Sequence, residues 1–220
     1  MHCKKETVVS SHQIILYESP ASRSDRVKFL LEEIKIPYNK KTISIPKKEY
    51  KSEDFLKINP NGTVPFLIDN ETGIHISESG AICNYLARKY KDRLYFPDKN
   101  LKEIAQYEEM MYFAVSTLDP VCFQILFHSK WYPEEKRIPS IVEENVRKFV
   151  FCADFLNRNL AKNKFVLGDK ISTPDFIIAP SLLCIKEEVK KHSLIQEYVM
   201  NILSLTSMKK VRHDVKIFNS

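Results

Sequence analysis

Glycine is scarce in this sequence: there are four among 220 residues, and only one tryptophan. That scarcity excludes collagen-like and low-complexity architectures. The four, Gly62, Gly73, Gly80 and Gly168, all fall at predicted turns or helix ends. Other signatures are missing too. There is no GxGxxG, no P-loop and no GxSxG, which removes dinucleotide-binding, P-loop and serine-hydrolase readings. The five cysteines (Cys3, Cys83, Cys122, Cys152, Cys184) are odd in number and show no CxxC spacing. Four lie in apolar helical contexts, so buried free thiols in a reducing compartment are expected. The six histidines are scattered with no metal-ligand spacing, so no metal is expected. No apolar stretch approaches the length of a membrane span. MHCKKETVVSSH lacks the apolar segment of a signal peptide. The expectation is a cytoplasmic protein with no membrane partner. The formal charge of +6 is spread in interrupted lysine clusters without interleaved aromatics, which reads as solvated faces and gives no nucleic-acid partner.

Apolar residues make up 44% of the chain, enough for a sizeable core. The densest information lies in residues 59–90. Asn-Pro-Asn-Gly is a cluster of turn formers before the apolar run 64–68. Residues 70–73 have hairpin-loop composition, and 74–76 return as a strand. Ser77-Glu78-Ser79-Gly80 then opens a helix with Ile82, Tyr85 and Leu86 at helical spacing. Pro65 donates no N–H, so at the head of a strand it needs a special reason. A cis Val64–Pro65 bond supplies one and leaves the Val64 N–H and C=O open to an extended peptide. Glu78 and Ser79 stand where helix N–H groups are unpaired. These features together suit a short, anionic, peptide-like ligand.

Elsewhere, residues 13–17 read as a buried strand, 21–33 as a helix, 38–45 as a strand and 51–58 as a short helix. Residues 94–98 look like a linker that packs on something. Helical periodicity dominates from about Leu101, with a long helix through Leu118 that stops near Asp119-Pro120, and another over 142–160. Ser172 and Asp175 have capping-box spacing with Asp as the partner acid, and Pro174 is tolerable in a first turn. The division predicted is a tail (1–12), a strand-and-helix domain (13–92), a linker (93–101) and a helical domain (102–220).

Residues 59–67, Asn-Pro-x-Gly-x-Val-Pro-x-Leu, followed by Glu78-Ser79, resemble the glutathione-binding half of a glutathione S-transferase. Gly-Asp-x-x-Ser-x-x-Asp at 168–175 resembles the helix-capping motif of that family's C-terminal domain. Tyr17, Ser22 and Arg26 are spaced as in its serine-type classes, theta and delta most closely. Glu49-Tyr50-Lys51-Ser52 resembles a phi-class segment with Tyr50 replacing histidine. The likeness implies an α/β thioredoxin-like N-terminal domain with a mixed four-stranded sheet, then an all-α C-terminal domain. It implies a transferase that joins glutathione, a co-substrate and not a cofactor, to an apolar electrophile. A homodimer and a detoxifying role are implied as well.

A free thiol titrates near pH 8.5, so glutathione needs help to ionise at neutrality. Lowering its pKa by about two units corresponds to roughly 2.7 kcal/mol, within reach of a hydroxyl donating to the sulfur. By the resemblance Ser22 is that hydroxyl. Ser22-x-x-Asp25 is equally a helix-cap pattern, and Ser19 stands close enough to compete for the role. Glu78 meets the γ-glutamyl amino group in the family pattern, or simply suits the helix dipole. Ser79 meets the γ-glutamyl carboxylate. Val64, presented by Pro65, pairs with the cysteinyl backbone. Lys51 neutralises the glycine carboxylate or is an ordinary solvated lysine. Thr63 replaces a longer polar arm. Arg26 braces the loop or lies on a surface. Tyr107, Met111, Phe113, Phe127 and Trp131 line an electrophile pocket or are core. Two further readings stand beside this one. A non-catalytic interaction or ligand-binding module keeps the fold without the chemistry. A glutathione-dependent thiol oxidoreductase needs a cysteine before the first helix, and none lies between Cys3 and Cys83.

Overall fold

The computed structural model describes residues 13–212. The expected tail (1–12), with Cys3, His2 and His12, and residues 213–220, with His213, lie outside the described residues.

The strand β1, Ile14–Glu18, buries Ile14 and Leu16 on one face and turns Tyr17 to the other. Its last residue, Glu18, is fully buried yet satisfied: its carboxylate accepts from Lys28 at 2.9 Å and from Thr42 at 2.9 Å. The helix α1, Ser24–Glu33, begins three residues later than expected, because Ala21 has φ 53°, a left-handed conformation that an α-helix does not contain. The strand β2, Tyr38–Thr42, ends three residues early, and the chain then makes a single 3-10 turn at Glu49–Lys51. Ser52 caps the next helix, accepting from the Phe55 amide at 3.3 Å, so α2 is Glu53–Ile58. The strands β3, Phe66–Asp69, and β4, Ile74–Ser77, form the expected hairpin, and α3, Ser79–Lys89, follows directly.

The sheet order is β2-β1-β3-β4, with β1 parallel to β2 and antiparallel to β3. This is the mixed four-stranded sheet expected. Val27, Leu30 and Leu31 of α1 and Ile82 and Leu86 of α3 join Ile14, Leu16 and Leu67 in one core. Each fully buried aliphatic there contributes about 1.5–3 kcal/mol. Tyr17 sits against Phe55 and Phe66 on the opposite face, with ring centroids 5.6 and 6.1 Å apart. The linker packs as expected: Leu94 is buried, Tyr95 bridges to Ser172, and the Phe96 ring meets Tyr107 edge-on at 5.3 Å.

The helical half corrects one expectation. The long helix does not stop at Asp119-Pro120 but runs unbroken from Leu101 to Trp131. Immediately before the proline the backbone widens into π turns over Phe113–Leu118, where the Asp119 N–H bonds the Ala114 carbonyl five residues back. Such a widening gives a proline ring room inside a helix. A second wide turn, Phe127–Trp131, ends it. At 31 residues this helix is long and apolar enough to cross a membrane, which the shorter expected helix was not. It is a core helix: Ala114, Leu118, Cys122 and Ile125 are buried within the main cluster, and Asp119 in its middle is ion-paired. The helix Pro139–Leu160 packs beside it, followed by Asp175–Leu182, Ser193–Ser204 and Thr206–Val211.

The predicted cap at 172–175 forms. The Asp175 carboxylate accepts from the Ser172 amide at 2.8 Å, the Ser172 hydroxyl at 2.8 Å, the Val166 amide at 3.1 Å and the Tyr198 hydroxyl at 3.0 Å. Burial nonetheless pushes its pKa up to about 6, only partly offset by those bonds.

Candidate functional site

Register gathers the candidate residues at one end of the sheet. Thr42 is opposite Glu18, Tyr17 opposite Phe66, and Phe66 opposite Ser77. The loop leaving β1, the turn entering β3, the exit of β4 and the segment after β2 therefore share one rim. Ser22, Val64-Pro65, Glu78-Ser79 and Lys51 belong to those four stretches in turn.

In the β1–α1 loop three serines form a closed set. The Ser22 hydroxyl donates to the Ser19 carbonyl at 2.6 Å and stands 2.9 Å from the Ser24 hydroxyl. Its oxygen accepts from the Ser24 amide at 3.1 Å. The Ser24 hydroxyl, fully buried, accepts from the Ser19 amide at 3.2 Å. The Ser22 oxygen is thus fixed by an amide while its single proton sits on a rotor that can choose another acceptor. Ser22 is half-buried and lines a cavity; Ser19 is buried and lines none of the described cavities. Ser24 was not singled out in the sequence, although the Ser-x-x-Ser-x-Ser run carried the signal.

Across the rim, the Val64–Pro65 peptide bond is cis. Among the described residues the Val64 main chain has no hydrogen-bond partner. Asn59, 1% exposed, organises this turn: its amide donates to the Thr63 carbonyl at 2.8 Å and its oxygen accepts from the Asn61 amide at 3.2 Å and Ser77 at 3.3 Å. Thr63 itself is exposed. Glu78 has φ 67° and ψ 116°, a conformation rare for a residue with a Cβ. Such outliers cost about 1–3 kcal/mol and cluster at functional sites. The Glu78 carboxylate is exposed and makes no side-chain bond within the described chain. Ser79, the first residue of α3, is buried. Lys51 is exposed, its ammonium 5.8 Å from the Tyr50 ring centre. Its turn is pressed against Gly62, where a Cβ would lie 2.9 Å from the Tyr50 carbonyl oxygen.

A buried ionic knot joins the two sides. Arg26, 3% exposed, donates to the Ser79 hydroxyl at 3.2 Å, to Ser181 at 3.0 Å and to Asp119 of the long helix. Arg23 donates to the other Asp119 oxygen at 3.0 Å and lies over the Phe123 ring at 4.0 Å. Of the two sequence options for Arg26, the structure gives the brace. Asp119 was missed, because Asp-Pro reads as a helix stop; an acid flanked by Leu118, Val121 and Cys122 was the available clue.

Two cavities flank this knot. One, of about 300 Å3, is walled by Ser22, Arg23, Phe123, Leu126, Trp131 and Leu183 among others. The other, of about 380 Å3, is walled by Glu78, Asn84, Tyr107, Met111, Tyr112 and Val115 among others. The aromatic and methionine residues singled out in the sequence therefore separate. Trp131 reaches the Ser22 cavity, Tyr107 and Met111 reach the Glu78 cavity, and Phe113 packs on Phe155 at 4.5 Å. Cys184 also lines the Ser22 cavity, but burial pushes its thiol up to about 11, so it stays protonated. The C-terminal segment, unplaced by sequence, packs Thr206–Val211 on α1 and brings Arg212 to the Ser22 cavity.

Comparison with known proteins agrees with this fold. Residues 12–88 match the model of the glutathione S-transferase N-terminal domain. A probable glutathione S-transferase GSTF2 of rice is 32% identical over 71% of this chain and 73% of its own length. The chain belongs to the glutathione S-transferase family. Glutathione S-transferase GstB of Escherichia coli K12 is likewise 32% identical over 70% of this chain and 74% of its own. Among solved structures, the family member URE2P6 from Phanerochaete chrysosporium, in complex with oxidized glutathione, superposes with a TM-score of 0.80 at 26% identity. The superposition covers 91% of this chain and 94% of that one. The thioredoxin-like domain followed by a helical domain is the fold of this family.

Proposed function

We propose that this chain is a serine-type glutathione transferase, theta-, delta- or phi-like, in which the Ser22 hydroxyl holds the glutathione sulfur as a thiolate. The sulfur then attacks an electrophilic small molecule. The observation that carries the reading is the state of Ser22: its oxygen is anchored by the Ser24 amide, its proton rests on the Ser19 carbonyl at 2.6 Å, and its side chain lines a cavity. Turning that proton from the Ser19 carbonyl to an anionic sulfur exchanges a neutral hydrogen bond for a charge-assisted one, about twice as strong.

The rim opposite holds the tripeptide in this reading. The Val64 main chain, presented by Pro65, pairs with the cysteinyl backbone. Glu78 meets the γ-glutamyl ammonium. Ser79, backed by Arg26 and the start of α3, meets the γ-glutamyl carboxylate. Lys51 meets the glycine carboxylate, with Thr63 beside it. The electrophile occupies the Ser22 cavity, oriented against the sulfur. No metal or second cofactor takes part. A homodimer, a cytoplasmic location and a detoxifying role belong to the same proposal.

The test compares wild type with Ser22→Ala, measuring turnover of 1-chloro-2,4-dinitrobenzene and glutathione binding by calorimetry. Wild-type turnover with a tenfold to hundredfold fall in the variant, at nearly unchanged glutathione affinity, is the expected result. Tight glutathione binding without turnover across several electrophile types sinks the enzyme reading. Absence of glutathione binding points to an interaction module. Sedimentation of the purified protein checks the dimer.

A further inference from the structure

We propose that Ser24 is a positioning residue for the thiolate: its buried hydroxyl donates to the Ser22 oxygen once the Ser22 proton turns to the glutathione sulfur. This rests on Ser22 being the hydroxyl that holds that sulfur. The first observation is where the Ser24 side chain goes. Ser24 opens α1, yet among the described residues its hydroxyl caps no amide of that helix. The first-turn amides are satisfied by main chain: Asp25 bonds the Ser22 carbonyl at 3.0 Å and Arg26 the Arg23 carbonyl at 3.3 Å. The Ser24 side chain turns back into the β1–α1 loop and is fully buried there.

The second observation is its partners. The Ser24 oxygen accepts from the Ser19 amide at 3.2 Å and lies 2.9 Å from the Ser22 oxygen. Among the described residues these are the polar partners of that hydroxyl, and the Ser22 oxygen is the one acceptor its proton can reach. A buried hydroxyl proton left without an acceptor is costly.

The third is the count of protons. At rest the Ser22 proton has two acceptors in reach, the Ser19 carbonyl at 2.6 Å and the Ser24 oxygen at 2.9 Å. Each serine hydroxyl carries one proton and accepts two bonds. When the Ser22 proton points to an anionic sulfur, both of those acceptors lose it. The 2.9 Å contact then persists with its direction reversed, Ser24 donating. The Ser22 oxygen now accepts from both the amide of Ser24, at 3.1 Å, and its hydroxyl. Donors run one way, from the Ser19 N–H through the Ser24 and Ser22 hydroxyls to the sulfur. Hydrogen bonds aligned head to tail polarise one another, which makes Ser22 a better donor to a charge. No proton leaves the serines. The glutathione S–H bond breaks with its electron pair kept on sulfur, its proton goes to solvent, and two rotors turn.

The test titrates the sulfur of bound glutathione, followed across pH by the ultraviolet absorbance of its thiolate. It needs binding and no turnover. Wild type, Ser22→Ala, Ser24→Ala and the double variant are compared. Ser24→Ala is expected to raise the bound thiol's pKa by about one unit. On the acid limb, kcat/KM for 1-chloro-2,4-dinitrobenzene falls about tenfold with it and recovers at high pH. In the Ser22→Ala background the same substitution adds nothing, because Ser24 acts through Ser22. Ser24→Cys, with a weaker donor of similar shape, falls between wild type and Ser24→Ala. An unmoved thiol pKa in Ser24→Ala, beside a lowered melting temperature, makes Ser24 structural only and leaves the Ser22 reading standing. Should Ser24→Ala fail to fold, Ser24→Cys titrating as wild type overturns the proposal in the same way. A full shift in the Ser22→Ala background overturns it as well, since Ser24 then acts on the sulfur alone. An unmoved pKa in Ser22→Ala, or no glutathione binding by wild type, overturns the Ser22 reading and this proposal together.

Discussion

The two sides of the rim are prepared differently. On the β3–α3 side the Val64 main chain and the Glu78 carboxylate have no partner among the described residues, and the Glu78 backbone is held at a positive φ of 67°. On the β1–α1 side the polar groups around Ser22 are tied to one another: the Ser22 hydroxyl donates to the Ser19 carbonyl, its oxygen accepts from the Ser24 amide, and the Ser24 hydroxyl accepts from the Ser19 amide. The first side keeps its groups ready for something that is not protein. The second is closed and must exchange a bond to act. In the proposed function a tripeptide docks on the open side, whereas thiolate formation on the other needs a hydroxyl to change acceptor. Binding and activation are separable on this geometry, and substitutions can separate them.

The largest effect is expected where the two sides meet. Asp119→Asn leaves Arg26 buried without its counter-charge, and Arg26 holds Ser79 on one side while Asp119 holds Arg23 on the other. Denaturant unfolding should show a loss of about 3–5 kcal/mol, and a loss below 1 kcal/mol refutes the knot. Next comes the closed side alone: Ser22→Ala lowers turnover tenfold to hundredfold with glutathione affinity nearly intact. Equal losses in both parameters would dissolve the separation of binding from activation.

A scaffold residue outside both sides gives the control. Burial raises Asp175 to about 6 in the folded state, above its unfolded value near 3.8. The stability contributed by its protonated form is then complete below pH ~4 and lost as pH climbs through about 6. The advantage of wild type over Asp175→Asn in melting temperature should shrink across that window and stay level above it; widening contradicts the assignment. The smallest effect belongs to the open side. Glu78→Gly relieves the positive φ and should stabilise the fold by about 1 kcal/mol or less, while glutathione binding weakens by about tenfold. A variant that is less stable would show that Glu78 is there for the fold and not for a ligand.

Much of the scaffold was legible because local chemistry and tertiary packing agree. Alternating Ile14 and Leu16, the turn formers at 59–62, the proline at 65 and the Ser172–Asp175 spacing each have one structural solution, and the chain adopts it. The candidate residues Ser22, Val64, Pro65, Glu78 and Ser79 could be singled out because each sits at an element boundary. What stayed hidden depends on partners far away in sequence. Asp119-Pro120 ends a helix in isolation, but Arg26, 93 positions away, and a π turn let the helix run through it. The late start of α1 follows from hydrogen bonds among three serines, which propensity does not count. The two cavities were indistinguishable in a single apolar stripe, since Met111 and Leu126 differ only in how far along one helix they lie.

That helix behaves as a rod with a hollow at each end, tethered at its midpoint by an acid. Its upstream half borders one chamber through Tyr107 and Met111, and its downstream half borders the other through Phe123 and Leu126. Adding one residue beyond the tether would rotate everything after it by about 100° and turn a different set of side chains toward the chamber. Length is therefore frozen along this rod, and any broadening of what the protein accepts has to arise by swapping one side chain for another in place.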